Sequence, residues 1–199
     1  LQKENRRKGI YPKFKKSNEA SFLAYKTTRH HELLHKYLEA VKNVHIVSIV
    51  RHPCAVINSW IRSDNEFEKK GCTLSADWKA GACRKEGVGE YWGFDDWLSV
   101  TQDHVSLSHK YSNFNILEYS DLIRGSEGVI YKLFKQLLIP YTKQTAEFLK
   151  DCHSSHDDDP YSVFKSASAE NKWKSELDSD ISHEIIRSAK AANLGQFLK

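Results

Sequence analysis

"VHIVSIVRHPCAVINSW" (residues 44–60) holds a short apolar run, then an arginine, and then a proline that opens a second run. The first seven residues are rich in β-branched side chains, and this composition and length predict a buried strand. Pro53 suits the first turn of a helix, because its missing N–H has no partner to lose there. We therefore expect a strand over residues 44–50, a helix from about 53 to 63, and Arg51 at their junction.

The position of Arg51 is typical of an anion-binding site. The free N–H groups and the dipole at a helix start favour an anion, and an arginine can add a bidentate contact. Ser59 follows Arg51 by eight residues, two turns into the predicted helix, so both side chains could face one anion. Equally, Arg51 could be a surface arginine and Ser59 a small packing residue.

The composition of the chain restricts its domain number, its possible partners and the state of its cysteines. The chain has 199 residues, of which 40% are hydrophobic, and this predicts one domain after a basic segment over residues 1–20. The net charge of +4 is too small to indicate a nucleic-acid partner, and no apolar run is long enough to cross a membrane. Among four cysteines, Cys72 and Cys83 are close enough to pair, although free thiols in a reducing compartment are favoured.

Apolar patterning along the chain predicts an α/β protein. A strand over 21–26, a helix over 29–42 and the strand over 44–50 would form a βαβ unit, whose strands are parallel. The turns after Lys26 and Val50 would then open on one edge of the sheet, where open α/β sheets bind ligands. Residues 64–90 are expected to be a surface excursion. Further predicted elements are a helix within 90–111, a strand over 114–119, and helices over 127–138, 142–150 and 179–193.

Two weaker patterns have ordinary explanations. The tract "DCHSSHDDD" (residues 151–159) has metal-ligand-like spacing but no second cluster to complete a zinc site, so a solvated acidic loop is favoured. Its possible ligands are Cys152, His153, His156 and Asp157. An aromatic group near residue 94 is expected in the core, although aromatic rims also suit sugar stacking; its members are Trp92, Phe94 and Trp97.

Four motifs in a fixed order carry a family resemblance: "AYKTTRHH" (24–31), "VRHPCAVINS" (50–59), "LEYSDLI" (117–123) and "SVFKSASAENKWKSEL" (162–177). They resemble the motifs of sulfotransferases that use 3′-phosphoadenosine 5′-phosphosulfate (PAPS). A further stretch, "EYWGFDDW" (90–97), is similar to a helix of bacterial carbohydrate-type members. The resemblance covers about residues 21–199.

The resemblance implies a P-loop-like parallel sheet flanked by helices. In the family a glycine-rich loop after the first strand holds the 5′-phosphosulfate, and residues 1–20 contain no such loop, since Gly9 is their only glycine. The expectation is therefore that the first strand and its loop precede Leu1. Residues 21–199 would then be a partial sulfotransferase-like domain.

The resemblance also implies roles for individual residues in sulfuryl transfer from PAPS to a hydroxyl acceptor, expected to be a carbohydrate. Lys26 would polarise the bridging region of the donor. The family's base is a histidine two positions later, where this chain has Thr28, so His30 or His31 is the expected base. The 3′-phosphate would be bound by Arg51, Ser59, Tyr119 and Lys165.

No metal is required in this scheme if lysine and arginine neutralise the leaving group. The expected compartment is the cytoplasm, or the Golgi lumen if the protein is eukaryotic. Two alternatives stay open. A nucleotide kinase-like α/β protein would need a P-loop, which this sequence also lacks. A non-catalytic binding module could use Arg51 and the basic segment to bind polyanions or phosphonucleotides.

Overall fold

The computed structural model describes residues 21–63, 66–154 and 170–199. Two strands are present in these ranges, β1 (Ile46–Val50) and β2 (Phe114–Glu118). The described α-helices are α1 (Leu34–Ala40), α2 (Pro53–Ile61), α3 (Leu74–Ala80), α4 (Gly93–Lys110), α5 (Tyr119–Gln136), α6 (Lys143–Ser154), α7 (Trp173–Glu176) and α8 (Ser179–Ala191). None of them combines the length and the apolar character that a bilayer span requires.

The strands β1 and β2 form a two-stranded parallel sheet, with Ile46 opposite Phe114 and Val50 opposite Glu118. The connection between them runs through α2, α3 and α4. The described chain is thus mixed α/β and mostly helical, which confirms the broad fold class. The larger P-loop-like sheet stays a prediction.

The core lies on one face of this sheet. Along β1, Ser48 and Val50 are buried whereas Ile49 is 58% exposed, so alternate side chains face α4 and solvent. Ile185 of α8 is fully buried and joins α8 to the main cluster. That cluster contains Cys54, Ile57, Trp60, Phe67, Cys72, Trp78, Phe94 and Ile185.

The predicted strand over 21–26 is wrong. Residues 21–27 have no regular structure, and Leu23 is 97% exposed. An apolar run becomes a strand only where a neighbouring strand pairs with it, and within the described ranges β1 pairs with β2 alone. The βαβ unit expected over 21–50 is therefore wrong too, because β2 and not this segment is the parallel partner of β1.

The predicted helix over 29–42 is shorter than expected. It consists of a 3-10 turn at His31–Leu33 followed by α1, and Leu38 is its one buried residue. The helix over 127–138 begins earlier, at Tyr119, with a kink at Gly125. The helix expected over 142–150 extends to Ser154, so the start of the predicted acidic loop is helical.

Residues 66–90 are more ordered than the predicted surface excursion. They contain α3 and a disulfide between Cys72 and Cys83, so the expectation of free thiols is wrong for this pair. Gly81 ends α3 with a φ of 62°, and a Cβ there would clash with the backbone of Trp92. Glycines at helix ends made this helical stretch resemble a loop in the sequence.

Candidate functional site

Arg51 and Tyr119 meet at the carboxyl edge of the sheet. They directly follow Val50 and Glu118, which are the last paired residues of β1 and β2. Because the strands are parallel, both residues leave the sheet at one edge, and the guanidinium carbon of Arg51 lies 5.0 Å from the Tyr119 ring centroid. The structure thus brings together two of the residues to which the family resemblance assigns phosphate binding.

Backbone and capping contacts fix the turn that carries Arg51. Trp97 on α4 donates its indole N–H to the Arg51 carbonyl oxygen at 3.1 Å. His52 is the N-cap of α2, and its Nδ1 accepts a hydrogen bond from the Cys54 N–H at 3.2 Å, with Pro53 at the helix start. Hydrogen bonds from α4 and at the start of α2 therefore fix the loop after β1.

His52 is neutral near pH 7. Its ring stacks on Trp173 with centroids 4.6 Å apart, and burial lowers the pKa of His52 to about 4, with Lys174 and Arg51 adding to the effect. Burial has the opposite effect on Tyr119 and raises its pKa. The charge of Arg51 opposes this rise in pKa, and the charge of Glu170 adds to it. The Tyr119 hydroxyl therefore stays protonated and can donate to an anion.

Glu170 is a site residue that the sequence did not reveal. Arg51 Nε donates to Glu170 Oε2 at 2.8 Å, and Glu170 is only 3% exposed. Its Oε1 is also buried and has no hydrogen-bond partner in the described part of the chain. The one available signal was its place in the motif before Trp173.

The other two residues predicted to bind the phosphate, Ser59 and Lys165, stay predictions. Ser59 is on the exposed side of α2, between the buried Asn58 and Trp60, and no described hydrogen bond joins it to Arg51. Lys165 lies outside the described residues. Of the four predicted residues, Arg51 and Tyr119 therefore form the site that the structure shows.

A second polar cluster lies around Ser48 in β1, on the N-terminal side of Arg51. The buried Ser48 Oγ and His104 Nδ1 are 2.7 Å apart, and the ring of His31 lies 5.1 Å from that of His104. His104 Nε2 is buried and has no partner among the described residues. Ser48 precedes Arg51 by three residues, about 10 Å along the strand.

Both histidines of this cluster are shifted toward the neutral form. Burial lowers the pKa of His31, although a backbone hydrogen bond to Thr28 and the charge of Glu32 partly oppose it. Burial, with a smaller contribution from His31, lowers the pKa of His104 to about 4. His104 was missed in the sequence, although it follows Trp97 by seven residues and so shares its buried helix face.

The other two predicted catalytic residues are exposed. His30 has a left-handed φ of 59°, and its Nδ1 lies 3.3 Å from Glu32 Oε1. Lys26 belongs to the irregular segment 21–27, and no described contact joins it to Arg51 or His31. His31 is thus the one of the three that the structure places in a partly buried polar cluster.

Metal-ligand chemistry is restricted in the described ranges. The group of acidic, histidine and cysteine side chains near enough to share one ion consists of Cys72, Asp77 and Cys83. The disulfide occupies both sulfurs, and the Asp77 carboxylate accepts hydrogen bonds from the backbone N–H groups of Thr73 and Cys83. The disulfide and the hydrogen bonds of Asp77 therefore stabilise α3 and the turns on either side of it.

No protein-family model, curated protein or solved structure matches this chain. Its function is therefore inferred from the geometry of the site and from the sequence motifs.

Proposed function

We propose that the protein is a sulfotransferase that moves a sulfuryl group from PAPS to a hydroxyl group of a carbohydrate acceptor. One observation carries the proposal: Arg51 and Tyr119 lie together at the carboxyl edge of parallel strands, where α2 begins. This is the edge at which α/β sheets bind ligands, and a helix start with an arginine favours a phosphate group.

In this proposal the 3′-phosphate of the donor is bound by the terminal nitrogens of Arg51 and by the Tyr119 hydroxyl. The motifs add Ser59 and Lys165 to the same phosphate, and Lys26 to the bridging oxygen of the phosphosulfate. Lysine and arginine would neutralise the leaving phosphate, which is the main electrostatic task in a transfer of this type.

The acceptor oxygen forms a bond to sulfur while the bond from sulfur to the 5′-phosphate oxygen breaks, releasing adenosine 3′,5′-bisphosphate. The acceptor proton passes to a histidine. His31 suits this role better than His30, because it is partly buried and burial lowers its pKa, which favours the unprotonated form that a base needs.

The disulfide bears on the compartment. Stable disulfides form in oxidising environments, so the Cys72–Cys83 bond favours an oxidising compartment, which would be the Golgi lumen if the protein is eukaryotic, over the cytoplasm.

Calorimetric titration distinguishes the enzyme from a polyanion-binding module. We expect adenosine 3′,5′-bisphosphate to bind with one-to-one stoichiometry and to compete with PAPS. A polyanion-binding module would instead prefer heparin and lose it steeply as salt rises, because that binding rests on screened charge. Binding of heparin with no binding of the nucleotide would overturn the proposed function.

A further inference from the structure

We propose that Glu170 recognises a ribose 2′-hydroxyl beside the phosphate that Arg51 binds. This inference rests on the proposed function and names the part of the nucleotide that the site selects. It would make Glu170 a specificity-determining residue for ribonucleotide donors.

The contacts of Arg51 engage only one of its three guanidinium nitrogens among the described residues. Its guanidinium contacts Glu170 through Nε, and no described residue accepts a hydrogen bond from its two terminal nitrogens. The guanidinium carbon lies over the Tyr119 ring, 5.0 Å from its centroid. Glu170 and Tyr119 thus orient the arginine with its terminal nitrogens available for a bidentate contact with an anion.

Only one of the two oxygens of the Glu170 carboxylate has a hydrogen-bond partner among the described residues. Oε2 accepts from Arg51, whereas the buried Oε1 has no partner among the described residues. Because both oxygens belong to one carboxylate, Oε1 lies one carboxylate width from the oxygen that Arg51 contacts. A buried acceptor without a donor is unfavourable, so a ligand that offers a donor at this point gains affinity.

Charge restricts which ligand can fill both positions. A second anionic group placed at Oε1 would be repelled by the carboxylate of Glu170, whereas a neutral hydroxyl there would not. A ligand that presents a phosphate to Arg51 and a neutral hydroxyl to Oε1 therefore adds no second negative charge beside the carboxylate and supplies the missing donor. A 3′-phosphorylated ribose has this arrangement, with its 2′-hydroxyl on the neighbouring carbon.

The test compares adenosine 3′,5′-bisphosphate with its 2′-deoxy analogue by calorimetric titration of the parent protein. We expect the ribonucleotide to bind roughly 10- to 100-fold more tightly, which is the range for a hydrogen bond to a charged group. In Glu170→Ala the ratio should fall to about one. The matched control is Glu176→Ala, which removes an exposed carboxylate that accepts from Asn58 and should keep the preference of the parent.

The outcomes separate this inference from the proposed function. If the parent binds both nucleotides equally, Glu170 does not recognise the hydroxyl, and the proposed function stands without it. If the parent binds neither nucleotide, the proposed function is wrong and this inference falls with it. The comparison of the two nucleotides on the parent protein needs no variant, so it tests recognition of the 2′-hydroxyl even if Glu170→Ala does not fold.

Discussion

Replacing Phe94 with alanine is expected to lower the free energy of unfolding by about 3–5 kcal/mol, the usual cost of removing a large buried aromatic side chain. Phe94 is 1% exposed and lies in the first turn of α4. Its ring stacks between those of Trp78 and Trp97, at centroid distances of 6.2 and 6.0 Å. Alanine would leave a cavity between α3 and α4. Urea denaturation measures the loss.

The matched control for this prediction is Phe22→Ala. Phe22 is 56% exposed in the irregular segment 21–27, so its loss should change the free energy of unfolding by less than about 0.5 kcal/mol. Equal effects of the two substitutions would show that α3 and α4 do not pack around Phe94. The packing matters for the site, because Trp97 also donates a hydrogen bond to the Arg51 carbonyl.

Acid should destabilise the protein through two buried histidines. Burial lowers the pKa of His52 and of His104 from 6.5 to about 4 in the folded state. Between these pH values the unfolded chain binds protons that the folded chain does not, so the free energy of unfolding falls as the pH falls. Each histidine contributes a loss of about 3 kcal/mol across the window from pH 6.5 to about 4.

The change in unfolding free energy between pH 7 and 4.5, measured by urea denaturation, tests this prediction. His104→Gln removes one of the two titrating groups and should reduce the pH dependence, whatever it does to stability at pH 7. His45→Gln replaces an exposed histidine just before β1 and serves as the control. A pH dependence unchanged by His104→Gln would mean that His104 is not held neutral in the fold.

Local sequence signals predicted the elements around the site. The strand ending at Val50, the helix opened by Pro53 and the strand ending at Glu118 are confirmed within a few residues. Their signals are β-branched composition and a proline in the first helical turn, which depend on neighbours in sequence. The position of Arg51 at the strand–helix junction follows directly from them.

Contacts between distant residues were less predictable. Whether residues 21–26 form a strand depends on a pairing partner, which their own pattern does not encode. The ion pair of Arg51 with Glu170 joins residues 119 positions apart, and a glutamate in a charged motif gives no sign of burial. The Cys72–Cys83 pair was considered, but only the packing of α3 shows that the two cysteines meet.

The most direct measurement of the central claim is the affinity of Arg51→Ala for two nucleotides. Adenosine 3′,5′-bisphosphate should bind the variant about 1.5–3 kcal/mol more weakly than the parent, because a hydrogen-bonded charge at the 3′-phosphate is lost. Adenosine 5′-phosphosulfate, which lacks that phosphate, should bind both proteins alike. Arg62→Ala, which removes an exposed arginine just after α2, should change neither affinity. An equal loss for both nucleotides in Arg51→Ala, or no loss for either, would contradict the assignment of the 3′-phosphate to Arg51.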